Sequence, residues 1–334
     1  MPTRDARAGA ARTRTPQPIP QPATRGERLV IGTVPIHARV AGFLLVLAGV
    51  AGIAAAFPTY LVVGGRVLTL AGGVITTGAV VLVPVVHLVI GAVLAAGRVP
   101  KLGLAYATVA AAVGVGRLLI EIYLGQSSTD RPGVEVLAGE LVLTSTVQVG
   151  RGWTLAVASL GIVVLAGVVA VAAWGRTVMD DTGSLDPARS GLAGTALLLG
   201  VGTVLCLTLP PADVPDDLVT DPVTGLQTVV PREGAQALLE RPLLALLGGL
   251  LLAGAVLLCS ALAPSLRPRL AAVGGLLAIA APVLAAGIGG WADARGSDEL
   301  EWTVPGVGLV LTGLGYAALT VLAWRLHREP ARQE

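Results

Sequence analysis

The chain has 334 residues, of which 54% are hydrophobic and only 13% are charged, and its formal net charge is +2. A soluble domain is about a quarter charged, so the low charge content and the mean hydropathy of +0.79 exclude a soluble globular protein and indicate a membrane protein. Three histidines, two cysteines and two methionines leave few ligands for a haem, an iron–sulfur cluster or zinc, so we expect no cofactor and no metal.

The first 37 residues are rich in arginine and proline and contain almost nothing that a folded core could bury. Such a segment cannot offset the entropy lost on ordering, so residues 1–37 are predicted to form a disordered cytoplasmic tail. Its prolines favour extended polyproline II over residues 16–22, either as a docking strip for a partner or, as we prefer, as a spacer. Residues 327–334 are predicted to form a second, short cytoplasmic tail.

Eight apolar runs of about 20 residues follow the tail, each long enough to cross a hydrocarbon core of roughly 30 Å as a helix. All must be helical, because an open sheet in hydrocarbon would leave backbone groups without hydrogen bonds. The predicted fold is an all-α membrane domain over residues 38–326 with eight transmembrane helices. Their predicted ranges are 39–57, 72–97, 102–124, 153–174, 191–210, 242–263, 270–290 and 304–325.

The basic residues divide unevenly between the two sides of these helices. Sixteen lie on the side that contains both termini and six on the other, so the positive-inside rule places both termini in the cytoplasm. The chain has 22 arginines and a single lysine, Lys101, and this composition, with its excess of alanine and glycine, suggests a GC-rich bacterial genome. We therefore expect a multi-pass protein of a bacterial cytoplasmic membrane.

The first predicted helix also resembles a secretory signal, because an arginine-rich region and an apolar stretch precede the small residues 54–56. Cleavage there would leave seven helices and an external amino terminus. The leading region is far longer than in such signals, so we favour an uncleaved first helix.

The connections after the first, third and fifth helices are long and strand-like. Residues 61–70 form two β-rich arms around Gly64 and Gly65, which suit the positive φ angles of a type I′ turn. Residues 134–149 and 218–230 contain similar paired arms, so we predict small β-hairpin-like extracytoplasmic loops, although valine-rich loops also look strand-like by composition. The recurring helix, outer loop and helix fit either a repeat of two-helix hairpins or a simple alternation of spans.

The third predicted helix contains two charged residues within the membrane. Arg117 and Glu121 are four residues apart on one helix face, so they can form an ion pair that shares the cost of desolvation. Tyr106 lies on the same face. Charges at such depth normally face a partner or a water-filled cavity.

The second predicted helix places His87 near mid-membrane, with Thr76 on the same face and Pro84 between them. Pro84 frees a backbone carbonyl and is expected to kink the helix. Because the second and third helices are consecutive, Thr76, His87, Tyr106, Arg117 and Glu121 are predicted to form a polar track. The track is either a proton or anion pathway or, as we prefer from the sequence, polar contacts that hold helices together. Depth estimates argue against direct contact between His87 and Arg117.

Two clusters of carboxylates lie in the predicted outer connections. The first comprises Asp213, Asp216, Asp217 and Asp221, and the second comprises Asp293, Asp298, Glu299 and Glu301. The first does not have the spacing of an EF-hand loop, so both are interpreted as solvated loops rather than Ca²⁺ sites. Cys206 and Cys259 are predicted to lie at different depths, too far apart for a disulfide.

No P-loop, HExxH zinc motif or GxSxG nucleophile elbow occurs in the sequence, so nothing in it points to an enzyme. We expect a non-enzymatic envelope or complex-assembly component, which contacts a protein partner through its outer loops or N-terminal tail. The alternative is a small-solute or proton-linked transporter that uses the polar track. The lipid bilayer is the expected surrounding and nucleic acid is not an expected partner, while the oligomeric state is left open.

Overall fold

The computed structural model describes residues 30–126, 133–144, 146–180, 188–220, 222, 227–230 and 234–326. Most of the predicted N-terminal tail, residues 1–29, and all of the C-terminal tail, residues 327–334, lie outside this part of the chain. The last residues of the predicted N-terminal tail do form structure. Val30–Ile31 is a short strand, β1, and the first helix already begins at Ile36.

Eight helices in the described residues are long and apolar enough to span a membrane, which confirms the predicted number and indicates a multi-pass membrane protein. Most ends fall within three residues of the prediction. The exception is the seventh helix, which continues six residues beyond its predicted end at 290. The helices are α1 (Ile36–Ala55), α2 (Val74–Ala95), α3 (Pro100–Leu124), α4 (Arg151–Trp174), α5 (Arg189–Leu207), α6 (Leu243–Leu262), α7 (Arg269–Gly296) and α8 (Val304–Arg325).

Short antiparallel strands occupy the connections. Those after β1 are β2 (Leu61–Val63), β3 (Arg66–Leu68), β4 (Val134–Leu137), β5 (Glu140–Leu143), β6 (Val147–Val149), β7 (Met179–Asp180), β8 (Ala212–Asp213), β9 (Asp217–Thr220), β10 (Gln227–Val230) and β11 (Glu301–Trp302). The three segments predicted as hairpins form the pairs β2–β3, β4–β5 and β9–β10. β1 pairs with β7 in the connection between α4 and α5.

The turns of the first two hairpins need a left-handed backbone. Gly64 and Gly65 have φ angles of 56° and 83°, which a type I′ turn requires and glycine adopts without strain. The β4–β5 turn has the same pattern at Ala138, with φ of 50°, and Gly139, with φ of 77°. Ala138 therefore holds a conformation that residues with a Cβ rarely adopt.

The connections that follow α1, α3, α5 and α7 meet at one end of the bundle, here named the hairpin face. β2 pairs with β6, which joins the connections after α1 and α3, and β8 pairs with β11, which joins those after α5 and α7. A small apolar core lies under the first two hairpins and includes Tyr60, Leu61, Val63, Leu68, Leu137, Val142 and Val147. The end that carries β1 and β7 is named the opposite face.

α3 and α7 form the centre of the bundle. Within their most apolar windows, 61% and 67% of residues are buried, against at most 39% for any of the other six helices. Glycines permit close approach of neighbours. A Cβ on Gly42 would collide with the backbone of α2 at Ala95, and a Cβ on Gly116 would meet the backbone of α6 at Gly248 and Leu252. Such small-residue contacts are typical of helix packing in membranes.

Helices α1–α4 and α5–α8 repeat the same order of packing. In the first half α1 packs on α2 and α4, and α4 packs on α3, while in the second half α5 packs on α6 and α8, and α8 packs on α7. Across the centre α3 contacts α6 and α7 contacts α2. α2 and α6 begin 169 residues apart (74 to 243), as do α3 and α7 (100 to 269). The repeating unit is thus four helices rather than the two considered from the sequence.

At the opposite face, each half contains a basic residue that binds carbonyls at the end of a neighbouring helix. Lys101, in the first turn of α3, donates a 2.8 Å hydrogen bond to the carbonyl of Trp174 at the end of α4, and its ammonium lies 4.1 Å from the centroid of that indole. Arg269, in the first turn of α7, donates to the carbonyls of Ala323 and Trp324 at the end of α8. Each half therefore uses one basic residue to bind the last carbonyls of a neighbouring helix.

Candidate functional site

A cavity of about 310 Å³ lies between the two halves, on the hairpin side of the bundle. Its walls come from α1, α2, α3 and α4 of the first half, α7 of the second half, and the β4–β5 turn. Four of the five residues of the predicted polar track line it. The polar or charged side chains in its wall are Thr76, His87, Arg117, Glu121, Ser159 and Asp293. We name it the Arg117 cavity.

The α2 wall contains His87, which is only 6% exposed. Its ring stacks edge-on against Tyr106 of α3, with the ring centroids 5.7 Å apart. Tyr106, the fifth residue of the predicted track, is buried and contacts His87 but does not itself line the cavity. Nδ1 of His87 has no hydrogen-bond partner within the described part of the chain. His87 and Arg117 line the same cavity although their depths along the helices differ.

Pro84 lies in the same wall, and α2 continues through it from Val74 to Ala95. Because proline has no N–H, the carbonyl of Val80 lacks its usual helical donor, and Val80 also lines the cavity. The ring of Pro84 packs where Gly52 of α1 leaves room for it. The proline therefore shapes the cavity wall and is accommodated by a small residue of the neighbouring helix.

Arg117 lies about 10 Å from the hairpin end of α3, at 1.5 Å of helix per residue. Its side chain is open to the cavity rather than packed against neighbours. Among the described residues it makes no hydrogen bond and no close ion pair, so the predicted pairing with Glu121 is not formed. The two charges attract each other without direct contact.

Glu121 is held by a residue that the sequence analysis missed. Oε1 of Glu121 accepts a 2.7 Å hydrogen bond from the hydroxyl of Tyr60, which precedes β2. The indole of Trp153 in α4 donates a 2.8 Å bond to the backbone carbonyl of the same residue. These contacts fix the end of α3, and they leave Arg117 without its nearest carboxylate.

Asp293 corrects the sequence-based interpretation of the second acidic cluster. The sequence predicts a solvated loop for it, but α7 continues to Gly296, because no proline or glycine pair interrupts it between Trp291 and Arg295. Asp293 therefore lies on the last turns of α7 and lines the cavity, and its side chain makes no hydrogen bond or ion pair to the described residues. Asp293 is four residues after Gly289, so the two share one face of a helix that continues past 290, and this spacing could have identified Asp293 from the sequence.

Ser159 of α4 was also missed by the sequence analysis. It is buried and donates a 2.8 Å hydrogen bond to the carbonyl of Ala48 in α1. The bond joins two helices of the first half at the cavity wall. Serine at such a position in a membrane helix is a common interhelical contact, so it carries no specific functional signal.

A second cavity of about 270 Å³ lies beside the first, and Ala138 and Asp293 line both. Its wall contains Arg241 and the hydrogen-bonded pair of Tyr123 and Glu135, whose hydroxyl and carboxylate are 3.0 Å apart. Burial lowers the pKa of Arg241, although the nearby Tyr123 and Glu135 favour its charged form. Glu135 and Arg241 therefore already have partners, Tyr123 and the carbonyl of Gln236, whereas Asp293 has none among the described residues.

The remaining sequence candidates do not form a site in the described residues. Oδ1 of Asp213 accepts 2.9 Å hydrogen bonds from the backbone N–H groups of Val214 and Ala235, so it holds a loop together. Asp221 lies outside the described residues. The described residues contain no group of three or more His, Cys, Asp or Glu that could hold a metal ion, and both cysteines are free thiols.

The Arg117 cavity thus combines one cation, two acidic side chains and a histidine whose buried Nδ1 has no hydrogen-bond partner in the described residues. This arrangement can bind a charged solute and exchange a proton with it. No family model, no curated protein and no solved structure matches the chain.

Proposed function

We propose that the protein is a membrane transporter that binds the anionic group of a small solute at Arg117. The observation that supports this proposal best is a guanidinium inside a membrane bundle that faces a cavity and has no direct partner in the described residues. An arginine at the centre of a membrane helix costs about 3 kcal/mol or more, and Arg117, about 10 Å from the end of α3, carries part of that cost, so its retention favours a function. Guanidinium binds carboxylate and phosphate groups through two parallel hydrogen bonds.

The position of the cavity also favours transport. Both halves begin at the same face, as do the parallel repeats of some transporter families, and solute sites in such proteins lie between the repeats. The Arg117 cavity has four walls from the first half and one from the second. Movement of α7 against α1–α4 would change access to it.

The proposed orientation follows the distribution of basic residues. With both termini in the cytoplasm of a bacterial cell, the hairpin face and the adjoining cavity lie toward the outside. His87 is the deepest polar group of the cavity and supplies a site where a proton can move with the solute. Uptake linked to protons is the expected mode.

The experiment compares the full chain with Arg117→Gln in liposomes and in lipid nanodiscs. Small carboxylates and inorganic phosphate are the probes, with thermal stability and uptake as measurements. The best probe should raise the melting temperature of the wild type, and Arg117→Gln should weaken its binding by about 30-fold, or about 2 kcal/mol, as expected when one partner of a buried charge pair is removed. Arg151→Gln is the matched control, because Arg151 is exposed at the start of α4.

A wild type that binds none of these probes, or a variant that binds them equally well, would contradict the proposal. That outcome would favour the second candidate, a non-enzymatic component of envelope or complex assembly. The second candidate is supported by exposed apolar side chains on the hairpin face, including Val67 on β3 and Leu143 on β5. These residues would then be the contacts for a protein partner.

A further inference from the structure

We infer that the solute is a small zwitterion of the amino-acid type, with its carboxylate at Arg117 and its ammonium group at Asp293. This inference rests on the proposed function and specifies its substrate class. Both side chains line the same cavity, they carry opposite charges, and neither has a hydrogen bond or close ion pair in the described residues. They come from different halves of the protein.

Several other charged groups around the hairpin face differ from these two because they have partners in the protein. Glu121 accepts a hydrogen bond from Tyr60, and Glu135 accepts one from Tyr123. Arg66 forms an ion pair with Glu140 at 2.9 Å. Within the described wall of the cavity, Arg117 and Asp293 are therefore the charges left open to a ligand.

A zwitterion satisfies both charges at once. An anion bound at Arg117 would leave Asp293 unpaired, and a cation bound at Asp293 would leave Arg117 unpaired, and each unpaired charge carries a desolvation cost. A molecule with one group of each sign also brings no net charge into the membrane. It therefore avoids the largest electrostatic cost of moving a solute through the bundle.

The size and lining of the cavity fit a small ligand. A volume of about 310 Å³ lies at the lower end of the range for small-molecule sites, which is roughly 300–1,000 Å³. Besides Asp293, the wall on α7 consists of Ala285, Ala286 and Gly289, small residues that leave space for a short side chain of the ligand. His87 lies in the wall formed by α2, and its buried Nδ1 has no hydrogen-bond partner among the described residues.

Asp293 is also close to the backbone of the β4–β5 turn. A Cβ at Gly139 would lie 2.7 Å from its Oδ1, so the glycine lets the turn lie directly against the carboxylate. Ala138 of the same turn lines the cavity. A bound ammonium group at Asp293 would therefore be enclosed by α7 and by this turn.

The test measures binding of the twenty standard amino acids to the full chain in lipid nanodiscs. The best ligand is then compared with its deaminated acid and its decarboxylated amine, each of which lacks one of the two charged groups. We expect the amino acid to bind at least tenfold more tightly than either analogue. Asp293→Asn should remove this preference, so that the amino acid and the acid bind alike, while the affinity for the acid equals or exceeds that of the wild type, because the acid no longer leaves a carboxylate unpaired.

Two variants complete the comparison. Asp298→Asn makes the same chemical change at an exposed position five residues away and should leave all affinities unchanged. Arg117→Gln should weaken the acid and the amino acid together. Binding of carboxylates that depends on Arg117 but shows no preference for amino acids would overturn the zwitterion inference and leave the proposed function standing. No binding of amino acids or carboxylates that depends on Arg117 would overturn both.

Discussion

Lys101 and Arg269 occupy equivalent places in the two halves but bind their neighbours differently. The ammonium of Lys101 makes one hydrogen bond to Trp174 and lies over its ring, whereas the guanidinium of Arg269 reaches two consecutive carbonyls. Both compensate carbonyls at a helix C-terminus that have no partner within their own helix. A positively charged donor at this position therefore stabilises each half, and either lysine or arginine can supply it.

Removal of the charge at Lys101 should therefore lower stability more than exchange for arginine. We expect Lys101→Met to decrease the free energy of unfolding by about 1.5–3 kcal/mol, the usual value for a hydrogen bond to a charged group, and Lys101→Arg to cost clearly less. Thermal unfolding in one detergent measures both. Arg98→Met is the control, because Arg98 is exposed on the adjoining connection. Equal losses for the two Lys101 variants would show that the charge does not matter.

At the level of helices, close packing depends on glycine where two backbones meet. Gly42 of α1 lies against Ala95 of α2, where any added Cβ collides with main-chain atoms that cannot rotate away. Gly161 of α4, by contrast, has open space around its Cβ position. Both glycines lie inside α-helices, so the two positions differ in the neighbouring atoms rather than in backbone conformation.

Gly42→Ala should destabilise the protein although alanine is the better helix former. Separation of α1 from α2 is expected to cost about 1–3 kcal/mol, as for other overpacked interiors, and outweighs a gain in helix propensity of about 1 kcal/mol or less. Gly161→Ala should show no loss. Melting temperatures of the two variants, measured side by side, check this, and equal behaviour would mean that α1 and α2 are not closely packed.

The sequence predicted individual helices and turns well. Apolar runs of the right length identified eight helices, and the glycine pair at Gly64 marked a turn. Thr76, His87, Arg117 and Glu121, which helical periodicity places on common faces, line one cavity. Local patterns are sufficient for such features, because they depend on neighbours within one or two turns of the chain.

Contacts between distant elements were not predicted. The bond from Tyr60 to Glu121 joins residues 61 positions apart, and Asp293 reaches the cavity only because α7 packs beside α2 and α3. The four-helix repeat did leave a sequence signal. Proline, a basic residue and leucine begin both α3 and α7, and alanine followed by tryptophan ends or nearly ends both α4 and α8. Two short matches of this kind are too weak to identify a repeat before its packing is known.

For the whole molecule, two similar halves enclose one site with polar groups mainly from the first. α3 contributes Arg117 and Glu121. At the offset of 168 residues that aligns Lys101 with Arg269, the corresponding positions on α7 (117 to 285 and 121 to 289) are Ala285 and Gly289. These small residues line the same cavity, so the space in front of Arg117 exists because its counterparts in the second half lack long side chains. A repeat with equal charges in both halves would fill the centre with mutually repelling arginines.

The direction in which this site faces depends on the orientation of the whole chain, which labelling can measure. In a background with Cys206→Ala and Cys259→Ala, a single cysteine is introduced as Arg66→Cys on the hairpin face or as Arg98→Cys on the opposite face. Arg66 and Arg98 are exposed, and the ion pair lost at Arg66 is a surface pair worth about 1 kcal/mol or less. A maleimide that cannot cross membranes is applied to intact bacterial cells.

With sixteen basic residues predicted inside and six outside, Arg66→Cys should react in intact cells and Arg98→Cys only after permeabilisation. The reverse pattern would place the termini outside and turn the Arg117 cavity toward the cytoplasm. In that case the site would load from inside the cell, and the same binding chemistry would favour export over uptake. Reaction of both cysteines in intact cells would contradict a sealed arrangement with the two faces on opposite sides of the membrane.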